Sequence, residues 1–279
     1  MNFWGFSLLL ALLLPAGVPQ AAAQAQASLP AGTVHYTVYQ KDKSVGSSEY
    51  TVMPTAAGYT ITSRGDLHLS KLNYSFENSQ NLDHMLNLVS DQITGTVNGS
   101  PVTFTVKSDP TGRQFNINVN AKGKDTQNTV DRHQNLALLP DLDAAGYMLL
   151  TQIGLANPQV SWALIPKENG LLVPTIYTPD PGVQGRLDGR DVEVQHTTVS
   201  VSAQNAISVE LFYDRGGRLL EADLPEQNFY VIQNGFKLTN RPKFAPPRGP
   251  EGAEPPPEQD GAPQYSEPQG QAAPQMQQQ

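Results

Sequence analysis

The chain has 279 residues, a formal charge of −8 and no cysteine. An acidic chain without clustered Lys and Arg is a poor partner for nucleic acid or anionic lipid, both of which attract basic surfaces. The missing cysteines exclude disulfides and a lipid-anchored, lipoprotein-type amino terminus, so burial alone must hold a body of about 200 residues, which is long enough for that.

Residues 1–27 predict a cleavable secretory signal. Phe3–Leu14 is continuously apolar or small, Pro15 and Gly17 break the run, and Ala21, Ala22, Ala23, Ala25 and Ala27 offer A-x-A cleavage sites. The run falls short of the roughly 20 apolar residues that span a bilayer, and no Lys or Arg precedes it. Cleavage after Ala23 or Ala27 is expected to release an exported chain, periplasmic or extracellular, with no transmembrane segment. The absence of cysteine favours a bacterial envelope.

Residues 28–240 form the predicted globular domain, and their dominant signal is period two. Strands are expected at Val34–Tyr39, Glu49–Met53 and Tyr59–Ser63. Leu67–Phe76 reads as one long strand whose phase change, from Leu67 and Leu69 to Leu72, Tyr74 and Phe76, predicts a β-bulge. Between Ile93 and Val106 two alternating runs flank Asn98-Gly99, the strongest short hairpin signal. A two-residue loop there sets Val97 opposite Ser100, Gly95 opposite Val102 and Ile93 opposite Phe104, with every apolar residue on one face. Further strands are expected at Phe115–Ala121, Asp191–Val201 and Phe229–Ile232. A second hairpin turns at Arg215-Gly216, with Leu211 opposite Leu220 and Val209 opposite Ala222.

One segment predicts a helix. Pro140-Asp141-Leu142-Asp143 opens it with Asp141 as N-cap, Leu142, Ala145, Leu149 and Ile153 line one face, and Gly154 with Asn157-Pro158 closes it. The fold class is therefore mainly β: a long curved antiparallel sheet, a half-barrel or open barrel, with one inserted helix. Residues 241–279 are Pro- and Gln-rich with few large apolar side chains, a composition that predicts a disordered tail.

Motifs that carry chemistry are scarce. The five histidines show neither HxH nor HxxxH spacing, and no phosphate loop, nucleotide fingerprint or serine elbow is present. No catalytic residue, metal site or cofactor is predicted, and the chain is expected to be non-enzymatic. A hydrolytic carboxylate pair would have to be assembled in space. His196, in phase with Val192 and Val194, predicts a hydrogen-bonded sheet histidine pointing inward. The stripe of Tyr36, Tyr59, Tyr74, Phe76, Phe104 and Phe115, of which Tyr36, Tyr74, Phe76 and Phe104 with Leu142, Leu149 and Ile153 of the helix are the candidate ligand-binding residues, has two readings. It is ordinary core, or it lines a groove for an apolar ligand such as a lipid or acyl chain, with the helix as plug or lid.

The opening Gly32–Gln40 (GTVHYTVYQ) followed by Val45-Gly46, and the ending Val209–Pro225 (VELFYDRGGRLLEADLP) followed by Phe229–Ile232, resemble a group of bacterial periplasmic half-barrels. These include the lipoprotein-localisation factors and relatives without an assigned activity. The resemblance covers Gly32 to Leu238 and rests on strand pattern. It implies a concave sheet face, crossed by a helix, that binds acyl chains or another apolar partner. The alternative is a structural or interaction protein with a filled core, whose tail reaches a partner in the envelope.

Overall fold

The computed structural model describes residues 29–156, 161–166, 170–201 and 207–241. The expected signal and all of the expected tail beyond Arg241 lie outside these residues. Sixteen strands form one sheet: β1 (Gly32–Gln40), β2 (Lys43–Thr55), β3 (Gly58–His68), β4 (Asn73–Asp83), β5 (Leu88–Val97), β6 (Ser100–Ser108), β7 (Gln114–Ala121), β8 (Lys124–Asp131), β9 (Leu136–Leu138), β10 (Ser161–Ile165), β11 (Leu171–Leu187), β12 (Arg190–Val201), β13 (Ile207–Tyr213), β14 (Leu219–Leu224), β15 (Phe229–Gln233) and β16 (Phe236–Leu238). The order is β8-β7-β6-β5-β4-β3-β2-β1-β15-β14-β13-β12-β11-β10-β9, with β16 paired to β11. All pairs are antiparallel except β9 with β10. The fold is mainly β, an open, curved sheet with a single α-helix among the described residues, α1 (Ala144–Ala156).

Local chemistry explains the meander. In the β5–β6 hairpin Asn98 and Gly99 both have positive φ, 51° and 76°, as a two-residue turn requires. The register is the one the alternation predicts, Val97 opposite Ser100 and Ile93 opposite Phe104. A Cβ at Gly99 would meet nothing within 4 Å, so Gly99→Ala isolates the backbone cost. We expect a loss of about 1 kcal/mol in urea denaturation.

Three expectations are corrected. Leu67–Phe76 is two strands: β3 ends at His68, Leu69 and Leu72 exchange backbone hydrogen bonds across a turn, and Leu67 faces Tyr74. The phase change was the turn itself. The β13–β14 loop is longer than two residues, because Asp214 accepts the N–H groups of Gly216 and Arg218. With a bulge between Phe212 and Tyr213, Leu211 then faces Ala222 instead of Leu220. Third, the helix is capped by Asp143, whose Oδ1 accepts the Ala145 N–H at 3.0 Å, while Ser48 Oγ accepts that of Ala144 at 3.1 Å. Asp141 and Leu142 precede the helix.

The helix fills the concave side of the sheet. Every residue from Ala144 to Ile153 is buried, and it touches β2, β3, β9, β13 and β14. A helix buried on all sides has no polar face to display, and its sequence is correspondingly apolar all round. Among the described residues no helix is long and apolar enough to cross a membrane. The far end of the sheet rolls back over its own beginning: a Cβ on Gly170, just before β11, would sit 2.4 Å from Cδ1 of Ile117 in β7.

The β11–β12 hairpin forms a second layer. Residues 190–194 of β12 run past the end of β13 and pair with β11 alone, while the other edge of β11 at Gly185–Leu187 takes β16. This arm folds back at a register break between Asp180 and Val183, where Pro179 and Pro181 interrupt the ladder. Val194, Phe212, Leu220, Phe236 and Leu238 are buried apart from the main core, on the face turned away from the helix.

Candidate functional site

The inner face is arranged in rows. Cross-strand pairing aligns Tyr50, Ser63, Asn78, Ile93, Phe104 and Val119, and beside them Ile61, Gln80, Asp91, Val106 and Ile117. A third row runs Ser48, Gly65, Phe76, Gly95, Val102 and Ala121. The Phe76 ring lies over the glycine of the neighbouring strand, since a Cβ on Gly65 would be 2.4 Å from Cε1.

Toward one end of these rows the packing stops short, leaving a cavity of about 500 Å³. Its walls come from β3–β7, from the Pro140–Leu142 segment ahead of α1, and from the β14–β15 connection through Leu224, Gln227 and Phe229. Leu72, on the β3–β4 turn at its margin, is partly exposed. Of the seven residues singled out in the sequence, Tyr74, Phe76, Phe104 and Leu142 line the cavity. Tyr36 does not: its hydroxyl donates to Leu219 O at 2.9 Å and its ring stacks on Tyr50. Leu149 and Ile153 are buried in the helix core and are not part of the wall. Leu142 adopts φ 59°, uncommon for a branched side chain, between the lining residue Asp141 and the cap Asp143.

Polar groups cluster next to the apolar wall. Asp143 Oδ2 accepts Ser63 Oγ at 2.8 Å and Asn78 Nδ2 at 3.3 Å. Burial pushes the Asp143 carboxyl up, and these donors with the Ala145 N–H offset part of that. Asp91 is buried with neither oxygen hydrogen-bonded, so burial, and then the charge of Asp143, push its carboxyl well above the ordinary range. The Tyr74 hydroxyl is raised by burial, then by the charges of Asp141 and Asp143. Asp91 and Asn78 were not singled out in the sequence, yet each lies two residues from an inward apolar side chain, Ile93 and Phe76. A polar residue in phase with a buried stripe was the signal.

A second polar cluster occupies the opposite face, under the arm. His196, expected as an inward-pointing, hydrogen-bonded sheet histidine, is buried in this second layer, since it pairs with Phe212, which lies outside the main core. Its ring stacks on Phe212 at 4.4 Å, and Nε2 hydrogen-bonds Glu210 Oε2 at 2.7 Å. Thr198 Oγ1 touches both Glu210 and Asp180. One ligand-type atom each from Asp180, His196 and Glu210 lie within 4.8 Å of one another, a grouping in which a cation would have to displace the His196–Glu210 hydrogen bond. Register on three strands brings them together, so no local spacing announces them. Along the same face Glu221 and Asp223 of β14 are buried and paired with Arg241, whose guanidinium lies 4.7 Å from the Tyr230 ring.

The outer face of β1–β5 carries two open polar depressions of about 510 and 930 Å³, lined by Thr, Ser, Glu49 and Arg64. Glu49 is bound there by His35 at 2.8 Å and Arg64 at 2.7 Å, an exposed charge ladder of the kind that contributes little. The cavity on the inner face is the candidate site.

No protein-family model matches the chain, and no curated protein does. Among solved structures it is similar to a beta-barrel-like protein of the domain of unknown function DUF1849 from Brucella abortus, with a TM-score of 0.46 and 12% identity over 75% of this chain and 97% of that one. It is also similar to a Bacteroides fragilis protein with a YmcC-like fold, with a TM-score of 0.28 and 7% identity over 74% of this chain and 94% of the other.

Proposed function

We propose that the protein is a non-enzymatic, exported envelope protein that holds an apolar molecule, a lipid or acyl chain, in the cavity beside the helix. One observation carries this reading. About 500 Å³ is left open against Leu, Val, Ile and Phe side chains, in a structure whose remaining inner face is packed. Interiors are normally filled to crystal-like density, and apolar surface left in water forfeits about 25 cal/mol per Å². The volume lies within the range of small-molecule sites, which pair apolar walls with a few polar groups. The resemblance to half-barrels that handle acyl chains points the same way. Export rests on residues 1–27.

Native mass spectrometry of mature protein purified from its own host, with lipid extraction of whatever dissociates, tests the carrier reading. A stoichiometric apolar molecule is expected. Empty protein that also fails to bind an apolar fluorophore would sink the idea. Ala121 lies in the cavity wall at the end of β7, so Ala121→Phe projects a ring into the open volume. We expect at least about tenfold weaker binding of the fluorophore, with the midpoint of thermal unfolding unchanged or raised.

A further inference from the structure

The cavity walls carry a carboxylate and no cation. Their polar side chains are Tyr74, Asp141 and Gln227, and no Lys, Arg or His contributes. The layer beside the wall has the same bias. Asp91 and Asn78 follow Ile93 and Phe76 on the inner face of β5 and β4, and both are buried. Three of their oxygens, both of Asp91 and Oδ1 of Asn78, have no hydrogen-bond partner. The donors nearby are already committed, Ser63 Oγ and Asn78 Nδ2 to Asp143 and the Ala144 N–H to Ser48. Burial, then the charges of Asp141 and Asp143, keep the proton on Tyr74, so its hydroxyl brings no charge to offset an anion.

We propose, resting on the carrier reading, that the cavity selects an apolar chain whose polar end donates hydrogen bonds and carries no negative charge. A long-chain alcohol or amine has this chemistry; a fatty acid or a phosphate-headed lipid does not. An anionic head drawn into this cavity loses its hydration and gains no counter-charge, and it meets the Asp141 carboxylate instead. A hydroxyl or ammonium group adds no negative charge beside the Asp141 carboxylate, and it can donate to that carboxylate or to the oxygens of Tyr74 and Gln227 in the wall.

The test is displacement of the neutral fluorophore N-phenyl-1-naphthylamine from the mature protein by dodecanol, dodecylamine and dodecanoate. All are used below their aggregation limits at a mildly alkaline pH, where the acid is ionised and the amine protonated. The alcohol and the amine are expected to displace the probe at concentrations at least about tenfold lower than the carboxylate. Leu72→Arg adds a cation at a partly exposed margin position, and is expected to narrow or reverse that preference. Equal or better displacement by dodecanoate from the unaltered protein overturns the proposal while leaving the carrier reading intact. Failure to bind the probe or any of the three compounds overturns both. Probe binding that survives Ala121→Phe overturns the assignment to this cavity.

Discussion

Replacing Arg241 by alanine is expected to cost about 3 kcal/mol of folding stability near neutral pH. Glu221 and Asp223 are adjacent positions on the strand face turned away from the helix, and both carboxylates are essentially inaccessible to solvent. Each bonds the Arg241 guanidinium through one oxygen, and Glu221 Oε2 and Asp223 Oδ1 have no other partner. Removing the cation strands two like charges in the interior. Breaking a buried pair costs about 3–5 kcal/mol; the guanidinium is itself more than a third exposed, so screening places the effect at the low end. Burial, followed by the charge of Glu221, raises the Asp223 carboxyl well above its ordinary value, and Arg241 pulls it back. The folded state therefore holds that proton more tightly than the unfolded chain. Its contribution is fully present below the unfolded value near 3.8 and is lost as pH rises through the folded one. Without Arg241 the folded value moves higher still, so the deficit is expected to be large in mildly alkaline urea titrations and to shrink on acidification. A loss under about 0.5 kcal/mol at neutral pH would mean that the two carboxylates share a proton and do not depend on the guanidinium.

Asp91→Asn is expected to act in the opposite direction, stabilising the protein by about 2 kcal/mol in mildly alkaline solution. The native carboxyl is fully buried, accepts no hydrogen bond and faces the charge of Asp143. With its folded value raised above 3.8, the same sign applies: the cost of Asp91 grows as pH climbs through the window between the unfolded and folded values. The amide is nearly isosteric and does not titrate, so it removes the buried charge without opening a cavity. Chemical denaturation of both proteins across pH should show curves that converge toward pH 4 and separate above it. Parallel curves would place a cation or solvent beside Asp91. A stabilised variant that also binds the apolar ligand less well would tie this strained carboxyl to the site.

How much of this was legible beforehand depends on distance along the chain. The β5–β6 register followed from Asn98-Gly99 and alternation alone, since turn and pattern reinforce each other within fourteen residues. Leu67–Phe76 failed because a turn built from Leu69 and Leu72 carries no Gly, Pro or Asn to mark it. β11 was missed because Pro174, Pro179 and Pro181 argue against a strand; Pro179 and Pro181 lie at its register break, whereas Pro174 stays in register opposite Trp162 of β10. β8 (KDTQNTVD) has almost no apolar alternation; it is an edge strand, and Asn128 Oδ1 there takes the Thr129 N–H at 2.8 Å. Tyr74, Phe76 and Phe104 of the cavity wall were legible as part of a buried face because large side chains recur at period two, whereas Leu142, expected on the helix face, precedes the helix. Leu224, Gln227 and Phe229 come from the far end of the chain, and nothing local links them to β3–β7.

The pairing of β1 with β15 joins the two ends of the body, Tyr36 opposite Gln233 and Gln40 opposite Phe229. Strands β2 to β8 each find a partner within a few dozen residues, so a chain that emerges amino terminus first can zip hairpin by hairpin. β1 cannot finish this way. One of its edges stays bare until nearly two hundred further residues have appeared, and closing so long a loop makes this junction the slow, high-contact-order step. A bare edge beside a growing sheet is also where a second chain can pair. Nascent chains that stop short of Phe229 should therefore self-associate, whereas those that include β15 and β16 should not.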